Sequence, residues 1–168
     1  PAFHRELQID AARRQIDQRT GMIERQVVVG LGPKLFEPPL IGMVLSDRNY
    51  SFAALKATKQ CVINIPTVEL AAKVVAVGNS SGRRVDKFAA FGLTPRPARH
   101  VEPPLIAECY ANLECRVTDA RMANRYNFFV LEVLKAWIDP ARKNPRTLHH
   151  LGKGRFVVEP VDVNEMLQ

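Results

Sequence analysis

The chain has 168 residues, of which 46% are hydrophobic and 24% charged, and its formal net charge is +7. This length suits one domain, and this composition excludes disordered, collagen-like and coiled-coil proteins. No stretch is long and apolar enough to span a membrane, and the charged residues at 3–19 do not fit a secretion signal. The sequence therefore predicts a single domain over residues 1–168, a cytoplasmic location and no membrane partner.

Apolar periodicity predicts the elements of the first half of the chain. Residues 5–16 have the pattern of a modest amphipathic helix, and residues 26–31 have that of a strand. The prolines at 38 and 39 then interrupt regular structure. After this break the predicted elements are a strand at 40–46, a helix from 51 to about 59, a strand at 61–65, a helix from 67 to about 77 and a short helix at 85–91.

The second half of the chain is predicted to be mainly strand. Residues 110–118 alternate between apolar and polar side chains, which predicts a half-buried strand with Asn112 and Glu114 on its polar face. Residues 127–138 form a long strand that is partly apolar on both faces, and residues 155–159 form another. Because no long helices separate the strands, we expect a small, mostly antiparallel barrel with a few short helices.

The segment 79–88 is the best candidate anion site in the sequence. Two serines, a glycine, two arginines and a lysine converge there just before a predicted helix start, where unpaired amides attract anions. A hydrophilic turn with a helix cap would explain the same composition. The segment 47–51 lies between a strand and a helix, where loops often contact ligands, although a plain turn explains it equally well.

Other motifs are better explained by structural roles than by a binding site. The glycines at 30 and 32 resemble the start of a dinucleotide fingerprint, but the prolines at 38 and 39 leave no room for its helix. Cys61, Cys109 and Cys115 contain no CxxC pair, so buried thiols are favoured over a zinc or disulfide framework.

The late basic stretch, residues 140–155, contains no acidic residue. It lacks the interleaved aromatic residues typical of nucleic-acid binders, so nucleic acid is an unlikely partner. Within it, His149 and His150 are adjacent, and adjacent residues on a strand point to opposite faces. We therefore expect surface histidines rather than a shared catalytic or metal site, and no metal site is predicted elsewhere.

Several segments together resemble the flavin reductase-like family, near flavoredoxin. They are Phe36–Gly42, Ser46–Ser51, Cys61–Pro66, Ser81–Pro95, Leu113–Arg116 and Phe129–Val133. The most specific is the Ser-Gly-Arg, Asp-Lys-Phe and Gly-Leu-Thr-Pro series within 81–95. The resemblance covers residues 36–158.

Residues 1–35 are an atypical N-terminal segment, because the first hairpin of the family is not recognisable there. We expect residues 26–31 to supply one strand of the barrel and residues 4–20 to lie outside it.

The resemblance implies an FMN-binding split β-barrel fold, a homodimer with one FMN per subunit near the interface, and NADH or NADPH as reductant. Hydride transfer to the flavin is the implied reaction, and no catalytic residue is assigned. The implied flavin contacts are the loop residues Ser46, Asp47, Arg48, Asn49, Tyr50 and Ser51, the phosphate-side residues Ser81, Arg83 and Lys87, and Asn127.

Two of these residues have a more specific expected role. Arg48 is the candidate for stabilising the anionic reduced flavin. Asn127 falls where many members have a histidine, and asparagine cannot change charge there.

Two other functions remain open from the sequence. One is a non-catalytic FMN protein that carries electrons received from a partner protein. The other, weaker, is a barrel that binds an anion or nucleic acid without flavin. Bound FMN is yellow, which distinguishes the last function from the first two, and oxidation of the nicotinamide distinguishes the enzyme from the carrier.

Overall fold

The computed structural model describes residues 5–6, 25–27, 38–152 and 155–160. Its helices are α1 (Tyr50–Thr58), α2 (Ala71–Gly78), α3 (Lys87–Phe91) and α4 (Ala123–Tyr126), with a 3₁₀ turn at Val68–Leu70. Its strands are β1 (Arg5–Glu6), β2 (Arg25–Val27), β3 (Leu40–Val44), β4 (Gln60–Ile65), β5 (Pro95–Arg96), β6 (Leu105–Ile106), β7 (Ala111–Asp119), β8 (Phe128–Ile138), β9 (Arg146–Gly152) and β10 (Arg155–Pro160). Within this part of the chain, no helix combines the length and apolar character needed to cross a bilayer.

The main sheet has six strands. Five follow the order β2-β3-β8-β7-β4, and β1 pairs with the far end of β8. Every pairing in it is antiparallel. Two register irregularities along β7 and β8 bend the sheet into a half-barrel. The predicted mostly antiparallel β fold with a few short helices is confirmed.

The core lies between this sheet and α1. Along β3 the side chains alternate, so that Ile41 and Met43 are buried whereas Leu40 and Val44 are exposed. From α1, the ring of Phe52 packs edge-on against Phe129 of β8, with 5.4 Å between ring centroids. Each buried side chain of this size stabilises the fold by about 1.5–3 kcal/mol.

The polar face of β7 differs from the prediction. Asn112 and Glu114 are fully buried rather than half-exposed, because the segment 99–106 covers them. Asn112 binds both backbone groups of Ile106: its Oδ1 accepts from the N–H at 2.8 Å and its Nδ2 donates to the carbonyl oxygen at 3.2 Å.

Glu114 is held as a carboxylate by three donors. Its oxygens accept from the backbone N–H groups of Arg99 at 3.0 Å and His100 at 2.6 Å, and from Nε1 of Trp137 at 2.7 Å. Burial opposes ionisation, but these hydrogen bonds outweigh it and lower the pKa of Glu114 below its ordinary value.

The N-terminal expectations are partly confirmed. Gln26 and Val27 pair with β3, as predicted for the strand at 26–31. Arg5 and Glu6, however, pair with Trp137 and Ile138 of β8, so for these two residues both the predicted helix and the predicted position outside the barrel are wrong. The end of β8 extends beyond β3 and offers free backbone groups that a short strand can pair. Residues 7–24 and 28–37 lie outside the described residues.

Element boundaries differ from the predictions by one or two residues in several places. α3 begins at Lys87 rather than residue 85, because Oδ1 of Asp86 caps the N–H groups of Phe88 and Ala89. Gly92 ends this helix in the left-handed conformation, with φ 57°, as predicted. Strand β9 lies within the late basic stretch and was not predicted. It pairs with β10.

Candidate functional site

A cavity of about 580 Å³ lies between β4, α2 and the turn at 79–86. Small-molecule sites in proteins commonly measure about 300–1,000 Å³. Much of the wall is apolar, with Val62 and Ile63 from β4, Leu70 from the 3₁₀ turn, and Val74 and Val77 from α2. This wall suits a flat, largely apolar ring system.

The edge of β4 borders the cavity. Four successive residues, 61–64, line it, although successive side chains of a strand point to opposite faces. β4 is also the last strand in the order of the main sheet. An edge strand presents backbone N–H and C=O groups, so the cleft offers a ligand both donors and acceptors along this side.

Asn64 brings an unsatisfied acceptor to the cleft. Its Oδ1 is buried without a hydrogen-bond partner among the described residues, and its Nδ2 donates to the carbonyl oxygen of Val62 at 3.4 Å. Leaving such an oxygen unpaired costs about 1–3 kcal/mol. No role for Asn64 is predicted from the sequence, where an asparagine within the apolar run at 61–65 is the available signal.

The predicted loop contributes four of its six residues to the cleft: Arg48, Asn49, Tyr50 and Ser51. Ser46 and Asp47 are not among the lining residues. Ser46 shapes the loop instead, because its carbonyl oxygen accepts from the N–H of Asn49 at 2.9 Å and its Oγ from the N–H of Arg48 at 3.3 Å.

Tyr50 joins this loop to the turn at 79–86. A Cβ added to Gly82 would lie 3.4 Å from Cδ1 of Tyr50, so the ring packs directly against the glycine backbone. The guanidinium of Arg83 lies over the same ring, 5.4 Å from its centroid. Arg83, predicted as a phosphate-side contact, is not among the lining residues, whereas its neighbours Ser81 and Gly82 are.

Lys87 lines the cleft and is anchored to α2. Its Nζ donates to the carbonyl oxygen of Val77 at 2.8 Å, and Oγ of Ser80 donates to the same oxygen at 3.0 Å. A cation at a helix C-terminus is favourable. An ammonium group has three donors, and this anchor holds the Lys87 side chain at the wall of the cleft.

The cleft has a positive charge balance. Among the described residues that line it, Arg48, Lys73 and Lys87 are cationic and none is a carboxylate. Lys73 is held in place by a 2.7 Å hydrogen bond from its Nζ to the carbonyl oxygen of Gly92. This charge arrangement favours an anionic ligand.

Asn127 is not among the lining residues and has a backbone role. It adopts the left-handed conformation with φ 56° at the end of α4, which asparagine tolerates better than most residues. Its carbonyl oxygen accepts from the N–H of Leu45 at 2.9 Å, and its N–H donates to Ala123. It therefore forms the turn into β8.

The late basic stretch is partly neutralised. Arg142 contacts Glu69 at 3.2 Å and Asp139 at 3.3 Å. His149 is exposed, whereas His150 is half-buried against the ring of Phe156, with 4.9 Å between centroids. The two histidines thus do not meet at one site, although His150 is less exposed than predicted.

Comparison with known protein families supports the resemblance. The model of the flavin reductase like domain matches residues 33–157, close to the expected 36–158. The chain belongs to this family.

Two relatives match this chain over part of their length. An uncharacterised protein of Archaeoglobus fulgidus is 34% identical over 102 residues, which are 61% of this chain and 58% of that protein. The uncharacterised protein YddH of Escherichia coli is 33% identical over 139 residues, covering 74% of this chain and 72% of YddH. The chain thus spans less than two thirds of the Archaeoglobus protein.

Solved structures show the same fold. An FMN-binding domain of a flavin reductases-like enzyme from Shewanella baltica superimposes with a TM-score of 0.67, at 25% identity, over 77% of this chain and 75% of that one. Flavoredoxin of Desulfovibrio vulgaris superimposes with a TM-score of 0.66, at 22% identity, over 76% of this chain and 74% of that one. The split-barrel fold predicted from the resemblance is confirmed.

Proposed function

We propose that this chain binds FMN in the cleft and acts as an oxidoreductase that transfers hydride from NADH or NADPH to the flavin. The observation that carries the proposal is the combination of an apolar wall with three cations and no carboxylate among the described lining residues. FMN has the matching chemistry, because it joins a flat ring system to a phosphate. The FMN-binding domain from Shewanella baltica supports the same choice of ligand.

The residues present fit the parts of FMN. Ser81 and Lys87 would hold the phosphate, through a hydroxyl and a charge-assisted hydrogen bond. Val62, Ile63 and Val74 would contact the ring system. The imide of that ring carries an N–H, which is the donor that the buried Oδ1 of Asn64 lacks.

Bound flavin would supply the redox chemistry, accepting a hydride from a reduced nicotinamide. The chain supplies orientation and charge. The guanidinium of Arg48 lines the cleft and would stabilise the negative charge that develops upon reduction. The apolar wall excludes water from the ring, which strengthens this interaction.

The proposed assembly is a homodimer, with the outer face of β3 and β8 as the contact surface. Leu40 and Val44 are 40% and 43% exposed. Phe128 and Val130, which pair with Val44 and Gly42 on this part of the sheet, are only half-buried. An apolar patch of this kind is typical of an interface.

Size-exclusion chromatography tests the proposed dimer. The wild type should elute at twice the chain mass, and Leu40→Lys should shift the protein toward the monomer. A monomeric wild type would contradict the assembly.

Steady-state kinetics test the proposed reaction. Oxidation of NADH and of NADPH is followed with FMN present, with and without the protein. We expect oxidation that requires the protein and saturates with the preferred nicotinamide. FMN binding without oxidation of either nicotinamide would contradict the enzyme and favour the electron carrier.

A further inference from the structure

Two cysteines face each other across β4 and β7. Cys61 pairs directly with Cys115 in the antiparallel register, and both are free thiols. Directly opposed residues have side chains on the same face of the sheet, with Cα atoms about 4.5–5.5 Å apart. This separation lies within the range of about 4.4–6.8 Å found in disulfides.

The two thiols differ in access. Cys115 is fully buried, whereas Cys61 is half-buried and lines the cleft. The neighbouring Cys61 thiol, together with burial, raises the pKa of Cys115, whose Sγ donates to the carbonyl oxygen of Leu113 at 3.5 Å. Among the described residues, no third cysteine, histidine or carboxylate joins them in a group that could hold a metal. The arrangement is therefore a dithiol in which one cysteine lines the cleft and the other lies behind it.

We propose that Cys61 and Cys115 are a redox-active pair, which a peroxide entering the cleft converts to a cross-strand disulfide. The Cys61 sulfur attacks one peroxide oxygen, the O–O bond breaks, and water leaves with Cys61 as a sulfenic acid. The Cys115 sulfur then attacks the Cys61 sulfur, the S–O bond breaks, and a second water carries away the thiol proton. Two thiols lose two electrons in total, and one hydrogen peroxide is reduced to two waters.

The disulfide formed in this way would be readily reducible. Directly opposed Cβ atoms lie about 4.5–5.5 Å apart, whereas a disulfide requires about 3.5–4.5 Å. Closing the bond therefore pulls β4 toward β7, and a strained disulfide is reduced more easily. Because β4 borders the cleft, this oxidation changes the wall of the candidate site. The inference requires no flavin and stands apart from the proposed function.

Cys109 provides an internal comparison. It also lines the cleft and is buried, and burial raises the pKa of its thiol to about 12. It lies before the start of β7, outside the β4–β7 register in which Cys61 and Cys115 are opposed. Cys109→Ser should therefore leave the oxidation of the other two thiols unchanged.

Thiol counting on the full chain tests the proposal. The folded protein is treated with hydrogen peroxide in slight excess, then denatured and titrated with a thiol reagent. We expect the count to fall from the three free thiols to one, with a mass loss of about 2 Da for the two hydrogens removed. A linked peptide pair containing residues 61 and 115 should appear, and dithiothreitol should restore all three thiols.

Variants distinguish this pair from general oxidation. In Cys115→Ala, Cys61 should stop at a sulfenic acid that dimedone labels, and in Cys61→Ser, Cys115 should stay reduced. Wild-type protein that keeps three thiols, or that forms a disulfide with Cys109 or between chains, would overturn the proposal. Because peptide mapping uses the wild type, the test is decisive even if Cys115→Ala fails to fold.

Discussion

Asn64 and Asn112 are directly opposed across β4 and β7, yet only Asn112 has a hydrogen bond at both ends of its amide. Asn112 fixes Ile106 through the N–H and carbonyl of that residue, like one more pair of a β-ladder. Asn64 has a buried Oδ1 without a partner among the described residues, and it borders the cleft. Asn112 thus stabilises the fold, and we infer that Asn64 contacts a ligand.

Replacing Asn64 with leucine should separate stability from binding. Asn64→Leu removes an unpaired buried oxygen and keeps the side-chain volume. We expect the free energy of unfolding without ligand to fall by less than about 1 kcal/mol or to rise. FMN affinity should fall roughly tenfold with the loss of one hydrogen bond. Urea unfolding and FMN titration measure the two effects.

Asn112→Leu is the matched control on the neighbouring strand. It leaves the backbone N–H and carbonyl of Ile106 without their partners, so we expect a loss of about 2–4 kcal/mol in the free energy of unfolding. If Asn64→Leu destabilised the protein as much as Asn112→Leu, the assigned role of Asn64 would be wrong.

Lys87 should contribute more to FMN binding than to riboflavin binding. Riboflavin lacks the phosphate, and Lys87→Met keeps the aliphatic stem while removing the charge. Loss of a charge-assisted contact should weaken FMN by about 1.5–3 kcal/mol, roughly ten- to a hundredfold. Titration of both flavins measures the difference. Arg84→Met, at an exposed position of the turn that precedes α3, is the control, and equal losses for the two flavins would exclude a phosphate contact by Lys87.

Glu114 should make stability depend on pH in the acid range. Its pKa is lower in the folded protein than the ordinary value of 4.5. The carboxylate therefore stabilises the fold above that value, and this stabilisation is lost as the pH falls through the lower, folded-state pKa.

Glu114→Gln tests this contribution, because an amide cannot accept three donors as a carboxylate does. We expect a loss of about 2 kcal/mol at pH 7. Urea unfolding at several pH values should show the gap between the wild type and the variant narrowing toward pH 3. A gap that stays constant with pH would mean that the ionised carboxylate is not the source of the stabilisation.

Lys59 occupies a backbone conformation that favours glycine. It ends α1 with φ 59°, a left-handed conformation that costs an L-residue about 1–2 kcal/mol. Lys59→Gly should raise the free energy of unfolding by about 0.5–1 kcal/mol, after the larger entropy of glycine in the unfolded chain is deducted. Ala57→Gly, an exposed helical position in α1, should lower it by about 1 kcal/mol. Thermal unfolding measures both changes. If both variants unfolded at a lower temperature than the wild type, this explanation of Lys59 would be wrong.

The sequence predicted the local elements wherever periodicity or a cap determines them. The strand β3, predicted from its apolar run, and the glycine that ends α3 are examples, although the exposed Leu40 and Val44 show that β3 is not buried on both faces as predicted. It failed where a tertiary contact overrides the pattern. Asn112 and Glu114 look exposed by alternation, but the segment 99–106 supplies hydrogen bonds that allow their burial. Likewise, no local signal indicates that Arg5 and Glu6 complete the edge of β8.

The sequence predicted which segments form the candidate site but not which of their side chains line the cleft. The loop at 46–51 and the turn at 79–86 meet through Tyr50 and Gly82, as the resemblance implied. Which residues of these segments face the cleft depends on hydrogen bonds that a motif does not specify, such as those that Ser46 accepts from the N–H groups of Arg48 and Asn49. Asn64 is identified as a candidate site residue only because its Oδ1 has no hydrogen-bond partner among the described residues. That is a property of the packed structure and cannot be predicted from the sequence.

Titration of FMN into the purified full chain tests the central claim most directly. The flavin absorbance spectrum and fluorescence are followed, and the mixture is then separated by size-exclusion chromatography. We expect a saturable change with one FMN per chain and yellow protein in the eluted peak. An FMN spectrum and fluorescence unaffected by excess folded protein, with no flavin in the protein peak, would contradict it.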